Sequence, residues 1–600
     1  MNDQRNLIVA IVLSVAIMFG FQFFFEGPRQ EAQKRQQQEM AEQAKAAEAQ
    51  AQSAAPTAPA GVTSGTAILP QAPTGSAPGG AMTPQLPGTS AMGVPTGAAV
   101  PTAAAPRLPI QTPRLNGSIS LIGARIDQLT LVDYHETVEG SSPQIVLFAP
   151  AGTANPYFAE FGWLPQDRAT PVPGPDTPWQ SQSQTLTPAS PVVLRWNNGQ
   201  GLTFVRTVSV DDNYMFTVNQ RVENAGAGPV TLFPYALVSR TGTPTTSGYF
   251  ILHEGPVGVL DGQLREPSYS DVVDQKEIKR KTTGGWFGIT DKYWLAALVP
   301  DQAKPVDTRW IHGKEGSADK YQADWLGEAT TVAPGASAEV KSNLFAGAKE
   351  VKLLDKYEKE MGVARFDLAV DFGWFYFLTK PFFYAIDFFN KLLGNFGLAI
   401  LMVTVIVKVL FLPLANKSYK SMSAMKKLQP DMLKLRERYK DDRQKLNTEM
   451  MALYKRSKVN PASGCLPIVI QIPVFFSLYK VLFVTIEMRH APFYGWITDL
   501  SAPDPTSIFN LFGLIPWDVP HFLMIGAWPL IMGVTMWLQM KLNPQPPDPI
   551  QAKIFMIMPV IFTIMLAPFP AGLVIYWSWN NLLSIAQQWF IMRRMGVKAT

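Results

Sequence analysis

Four textures of hydrophobic and polar positions divide this chain. Leu7 to Phe25, read as LIVAIVLSVAIMFGFQFFF, is an apolar run of nineteen residues. At about 1.5 Å per residue, that is the length of a helix crossing a hydrocarbon core of roughly 30 Å. A cleaved signal peptide has a shorter apolar region followed by small residues. Here Phe23-Phe24-Phe25-Glu26 follows, which predicts a retained signal anchor over 1–28. Between about Arg107 and Lys349 apolar and polar residues alternate instead. Leu202 to Val210 and Tyr214 to Val222 read as period-two strands joined by Asp211-Asp212-Asn213, a hairpin signal. Pro191 to Trp196, Val230 to Val238 and Tyr293 to Val299 share the texture, and no long helical period appears before Lys349. The pattern predicts an all-β sandwich over residues 107–348.

Residues 349–395 turn helical. Lys349 to Met361 reads as a charged connector, and Phe372 to Phe396 is crowded with aromatics but broken by Lys380-Pro381, Asp387 and Asn390-Lys391. That mixture predicts a helix lying in a membrane interface rather than crossing it. Long apolar runs then dominate residues 396–600: Phe396 to Leu414, Gly464 to Ile486, Phe522 to Met540, Ile554 to Ala567 and Leu573 to Met592. The second contains Pro467 and Pro473, which predict a kink. With the anchor, these make an α-helical membrane bundle of six spans with a five-helix core. Between the first two runs, Met422, Met425, Leu428, Met432, Leu435 and Tyr439 recur at spacings of three and four. Leu446, Met450 and Leu453 resume the stripe beyond Asp441-Asp442, a turn and N-cap signal, so a helical hairpin is expected over 418–459.

Composition fills the gap between anchor and sandwich. Residues 55–106 hold ten prolines and no charge, and residues 29–52 are rich in Gln, Ala, Glu and Lys. A disordered tether over 29–106 follows, because such a stretch buries too little apolar surface to offset its ordering entropy. The formal net charge of +5 conceals a local excess: residues 415–460 carry 13 Lys/Arg against 5 Asp/Glu. That is a basic segment, not a nucleic-acid-binding protein, and no specific nucleic-acid sequence is expected as a partner. It reads equally as a solvated face near anionic lipids and as a docking site for a partner. Counting short loops, residues 415–460, Lys541, Lys553, Arg593, Arg594 and Lys598 face residues 487–521, which contain only Arg489. The positive-inside rule then predicts a cytoplasmic hairpin and termini and an external β-domain.

The chemistry is sparse. No Walker loop, HExxH, GxSxG or CxxC occurs, and Ser-x-x-Lys at Ser317, Ser423 and Ser477 falls in unrelated contexts. Cys465 is the single cysteine, which excludes an intramolecular disulfide and any Cys-rich metal site. His253-Glu254 could serve as an acid–base pair in a sugar site, but a structural or solvated role is favoured. No catalytic residue, metal or cofactor is expected. What stands out is Lys408, a cation inside an apolar run with Thr404 one turn earlier. Such a residue marks a functional site or snorkels to the interface, and both readings stay open. Gln471, Thr535, Gln539, Ser578, Asn580 and Asn581 are further polar groups within the runs; Met524, Trp528, Met532, Met536 and Met540 form a stripe, each four residues on. Met suits a wall that accepts many apolar guests.

Asp371-Phe-Gly-Trp374, Leu428-Gln-Pro430, Met450-Met-Ala-Leu-Tyr454, Lys458-Val-Asn-Pro461, Gly464-Cys-Leu-Pro467, Gln471-Ile-Pro473, Pro559-Val-Ile-Phe562 and Pro570-Ala-Gly-Leu573 closely resemble the YidC/Oxa family of membrane insertases. The resemblance is dense over the last 240 residues. It implies a non-enzymatic insertase and chaperone for inner-membrane proteins in bacteria, acting alone or with a Sec-type translocon. It further implies a hydrophilic groove, here formed by Lys408, Thr404, Gln471, Tyr576, Trp577, Met532 and Met536, which receives the polar end of a nascent membrane protein. The hairpin, through Lys426, Lys427, Arg436 and Arg438, would recruit a ribosome or targeting factor. The family's bacterial groove cation is usually Arg; this chain has Lys408, which keeps the charge and loses the planar fork. A secondary transporter or channel is the alternative, but the inverted repeat expected of one is not found.

Overall fold

The computed structural model describes residues 105–594, apart from 247–251, 441, 458, 460–465, 518, 521–522 and 544–548. The expected anchor, all of the tether but residues 105–106, and Cys465 lie outside the described residues. The chain forms two compact units: one runs to Phe383 and includes Ser477–Ala491, the other comprises Tyr384–Phe476 and the residues from Pro492 onward.

In the first unit the alternating segments pair into two antiparallel sheets of ten and nine strands. Leu202–Val210 and Met215–Asn224 form the expected hairpin, with Val210 opposite Phe216. Asp211 holds the turn, since one carboxylate oxygen accepts from the backbone of Asn213 at 2.9 Å and of Met215 at 3.0 Å. The sheets meet face to face: Trp310 Nε1 donates to Gly288 O at 3.2 Å, and buried Arg206 donates to Ala124 O at 2.8 Å. Strand Tyr157–Pro165 is covered on both faces. Its Glu160 is tolerated there because Arg125, at 2.6 Å, and the Tyr235 hydroxyl, at 2.8 Å, satisfy it. One short helix, α1 (Tyr269–Gln275), interrupts the strands behind a Ser268–Asp271 capping box.

The strand Ser337–Ala348 leads directly into helix α2 (Val351–Met361). Lys349, between them, is 2% exposed, and its ammonium donates to Thr290 Oγ1 at 2.8 Å. Burial lowers its pKa to about 8 against the pull of Asp371, Asp291, Glu254 and Glu266. The remaining helices are α3 (Tyr376–Leu393), α4 (Phe396–Leu410), α5 (Leu412–Arg438), α6 (Arg443–Arg456), α7 (Leu466–Val484), α8 (Ala527–Leu542), α9 (Pro549–Leu566) and α10 (Ala571–Arg594).

Among the described residues no single helix is long and apolar enough to cross a membrane; α4 and α5 together pass that test but are bent by 69°. The apolar run from Phe396 to Leu414 is therefore not one helix, as its length predicted. Pro413 supplies the reason. It lies in the first turn of α5, where its missing N–H costs nothing, whereas inside a continuous helix its ring would strike the carbonyl of residue 409. The hairpin's stripe also divides. Tyr419 and Met422 pack on Ile591 of α10, while Met432 meets the Tyr454 hydroxyl of α6 at 3.9 Å. Asp442 caps α6 as expected, accepting from Lys445 N at 3.0 Å.

The Lys349 environment sets a pH dependence. With a folded-state pKa below the unfolded value, the buried ammonium costs stability at every pH below about 8, and the cost disappears as pH rises toward the ordinary lysine value of 10.5. Thermal unfolding of the β-sheet circular-dichroism signal in the full chain should shift upward between those pH values. Lys349→Met should flatten that rise, removing a difference of about 3 kcal/mol. An unchanged slope in the variant would assign the pH dependence to other groups.

Candidate functional site

The C-terminal end of α4, the start of α5, the middle of α7 and the face of α10 enclose a cleft of ≈ 580 Å³ counted out to its open mouth. Lys408 enters it from the last turn of α4, the end at which the helix dipole favours a cation. Its ammonium donates to Ser584 Oγ at 2.7 Å, and Ser584 Oγ in turn donates to Asn580 O at 2.7 Å. Thr404, Gln471, Tyr576 and Asn580 add polar lining; Val407, Phe411, Leu414, Ala415 and Val474 make it apolar. Tyr576 lies within hydrogen-bonding reach of Gln471, and Tyr419 of Ser584. Among the described residues none that lines the cleft is acidic. The charge is thus held by the Ser584 hydroxyl, and these lining residues offer it no counter-ion.

Of the groove residues expected from sequence, Lys408, Thr404, Gln471 and Tyr576 come together in this cleft. Thr404 spends its hydroxyl proton on Ile400 O at 2.7 Å, so toward any further partner its oxygen can only accept. Trp577, Met532 and Met536 are not among the lining residues. Trp577 points the other way, with Phe475 at 4.8 Å and Phe562 at 6.0 Å between ring centres. Met532 is fully buried against Leu566 and Val574. The reason is the closeness of α8 and α9: a Cβ on Gly533 would stand 2.1 Å from Thr563 Oγ1. That approach presses Met532 into the helix contact. Asn581 and Thr535 are likewise inter-helix glue, linked at 3.2 Å.

Ser584 was missed, although a signal existed. Asn580, Ser584 and Gln588 recur every four residues on α10 and are all at most 5% exposed, a buried polar stripe along the helix. Of the hairpin cations, Lys427 and Arg438 are exposed while Lys426 and Arg436 are half-buried.

The ends of α8 and α10 remote from this cation are closed by the segment between α7 and α8. Ala502 O and Leu500 O accept from the first two amides of α10, at 2.7 and 3.0 Å. Asp504, 2% exposed, accepts from Trp528 N at 2.9 Å, so it caps α8 from outside the helix. It also takes protons from Thr506 and from Trp496 Nε1 at 3.1 Å. Gly526 is required here, because a Cβ would fall 2.4 Å from the Asp504 carboxyl carbon.

Apolar helices around a cationic cleft, in a chain that also carries a large β-sandwich, define a protein with one helical and one all-β part. Residues 107–385 match the YidC periplasmic domain and residues 388–598 the 60Kd inner membrane protein family. The membrane protein insertase YidC of Bradyrhizobium diazoefficiens is 54% identical over 100% of this chain and 97% of its own length. That of Methylorubrum extorquens is 52% identical over 100% and 96%. A crystal structure of an active YidC insertase aligns over 81% of this chain and 95% of its own, at 19% identity and a TM-score of 0.34. The chain belongs to the YidC family of membrane protein insertases, inner-membrane proteins with a periplasmic domain that act on nascent membrane proteins.

The Asp504 cap generates a prediction. Asp504→Ala leaves the Trp528 amide and the Trp496 indole without an acceptor, at a cost of about 2 kcal/mol, or roughly a 30-fold increase in local opening. Limited proteolysis within residues 496–517 should accelerate accordingly, and Asp504→Asn, which keeps an acceptor oxygen, should lie between. Equal cleavage rates would remove the cap from this role.

Proposed function

We propose that the Lys408 cleft is the receptor for the polar, translocated end of a nascent membrane protein. The carrying observation is the ammonium itself, fixed by Ser584 in a cleft whose lining offers it no carboxylate. A client carboxylate supplies the missing counter-ion, and in a partly wet cleft that attraction exceeds its value in water. In this reading α4, α7, α8, α9 and α10 are the five spans of the core, preceded by the anchor and tether. The basic hairpin lies in the cytoplasm with both termini, and the β-domain lies outside. The hairpin recruits a ribosome or targeting factor and rests against anionic lipids, and a Sec-type translocon joins for some clients. No catalytic residue or cofactor is assigned.

The test uses paired single-span reporters differing only by one Asp near the translocated terminus. Lys408→Ala should slow insertion of the Asp-bearing reporter roughly fivefold, about 1 kcal/mol, and spare its neutral twin. Lys408→Arg should retain activity, and Lys408→Glu should be worse than Ala for the acidic reporter. A loss that follows protein stability and ignores reporter charge would return Lys408 to a snorkelling role.

Recruitment has its own measurement. Reversing Lys426, Lys427, Arg436 and Arg438 to Glu keeps helix propensity similar and removes the positive face. Folded protein with impaired insertion of co-translational clients is expected; unchanged insertion would make the hairpin a solvated face only.

A further inference from the structure

Between α7 and α8 the chain from Ser507 to Trp517 contains no charged residue. It folds as a short lobe around a 3-10 turn, Ile508–Gly513, that buries none of its own residues. Phe509, Leu511, Phe512, Leu514, Ile515 and Trp517 are all at least 40% exposed, with Leu514 at 83%. Contiguous exposed apolar surface of this kind marks an interaction site. The backbone is committed to the shape. Leu511 and Phe512 adopt φ of 48° and 59°, the left-handed region that residues with a large apolar side chain avoid. Hydrogen bonds hold them there: Phe512 N donates to Ser507 O at 2.7 Å, and Gly513 N to Asn510 Oδ1 at 3.0 Å.

The base of the lobe fixes its level. Ile508 N donates to Ile525 O at 3.1 Å and Ser507 Oγ to Leu523 O at 3.0 Å. Leu523 and Ile525 lie in the segment that leads into Ala527, the first residue of α8. The lobe therefore stands at the N-terminal end of α8, whose own Ile531, Val534 and Leu538 are exposed and apolar. If α8 is a span, those side chains face acyl chains, and the lobe continues the same apolar surface to the interface. Trp517 suits that depth, where an indole keeps its ring in the apolar layer and its N–H in the wet one.

We propose that residues 508–517 form a wedge inserted into the leaflet at the N-terminal end of α8, with the lipid acyl–headgroup boundary as its partner. The wedge rests on the reading of α8 as a span. Absence of charge, exposure of consecutive large apolar side chains and direct continuity with the α8 face select lipid over a protein partner, whose contact surface would bring a polar rim.

The test places one environment-sensitive fluorophore on the full-length protein, Cys465→Ser, through Leu514→Cys, in vesicles of phosphatidylethanolamine and phosphatidylglycerol. Val534→Cys on α8 and Asp212→Cys in the β-hairpin turn serve as lipid and aqueous references. Leu514 should give blue-shifted emission, lose most of it to a shallow nitroxide-labelled lipid, and be spared by iodide on both sides of the membrane. Quenching by iodide, as at position 212, would overturn the wedge. Protection from both quenchers would also overturn it, in favour of a protein cover. Lipid quenching at 534 without it at 514 rejects the wedge alone; its absence at 534 rejects the span reading and the wedge with it.

Discussion

An ammonium that has no carboxylate among the described residues of its cleft organises the helical unit. An unpaired buried cation is costly unless hydrogen bonds or water attend it. Here α10 presents Ser584 at 2.7 Å, and α4 places Lys408 in its last turn, where the helix dipole favours positive charge. Those provisions make the cation tolerable without pairing it, as the receptor role proposed for it requires. Lysine suits this arrangement: one hydroxyl anchors a compact point charge on a flexible stem, whereas the fork of an arginine asks for two aligned acceptors.

The two ends of the unit are built differently. At the ends of α8 and α10 remote from Lys408, Asp504, Leu500 and Ala502 satisfy the helix amides. Around Lys408 the walls carry hydroxyls and amides with spare hydrogen-bonding capacity. The cation end of the unit thus offers polar side chains, while the remote end has its helix amides capped.

Legibility followed the range of the interaction. Strands such as Leu202–Val210 were readable because alternation is local and one face must be buried. The same holds for the α6 cap at Asp442, three residues from the amide it accepts. Lys408 stood out by contrast with its neighbours. Its partner did not, because Ser584 lies 176 residues away. Asp504 reaches across 24 residues to its amide, and Lys349 across 59 to Thr290, so neither had a local signature. The Met stripe failed differently. Periodicity identified one face of α8 but not which neighbour it faces, and the Gly533–Thr563 approach turns Met532 away from the cleft. Pro413 was visible, yet the apolar length of its surroundings outweighed it.

The corner at Phe411 has a mechanical consequence. Thr404, Val407 and Lys408 line the cleft before a 69° bend and Leu414, Ala415 and Tyr419 after it, and α5 itself is 27 residues long. At 1.5 Å per residue this is an arm of about 40 Å, so a rotation of roughly 10° at its root would sweep the far tip by about 7 Å. The ratio works in both directions: a load applied at the tip arrives at the root as a large torque over a small angle. The cation and the hairpin tip therefore sit at the short and long ends of one lever, with Pro413 beside its fulcrum.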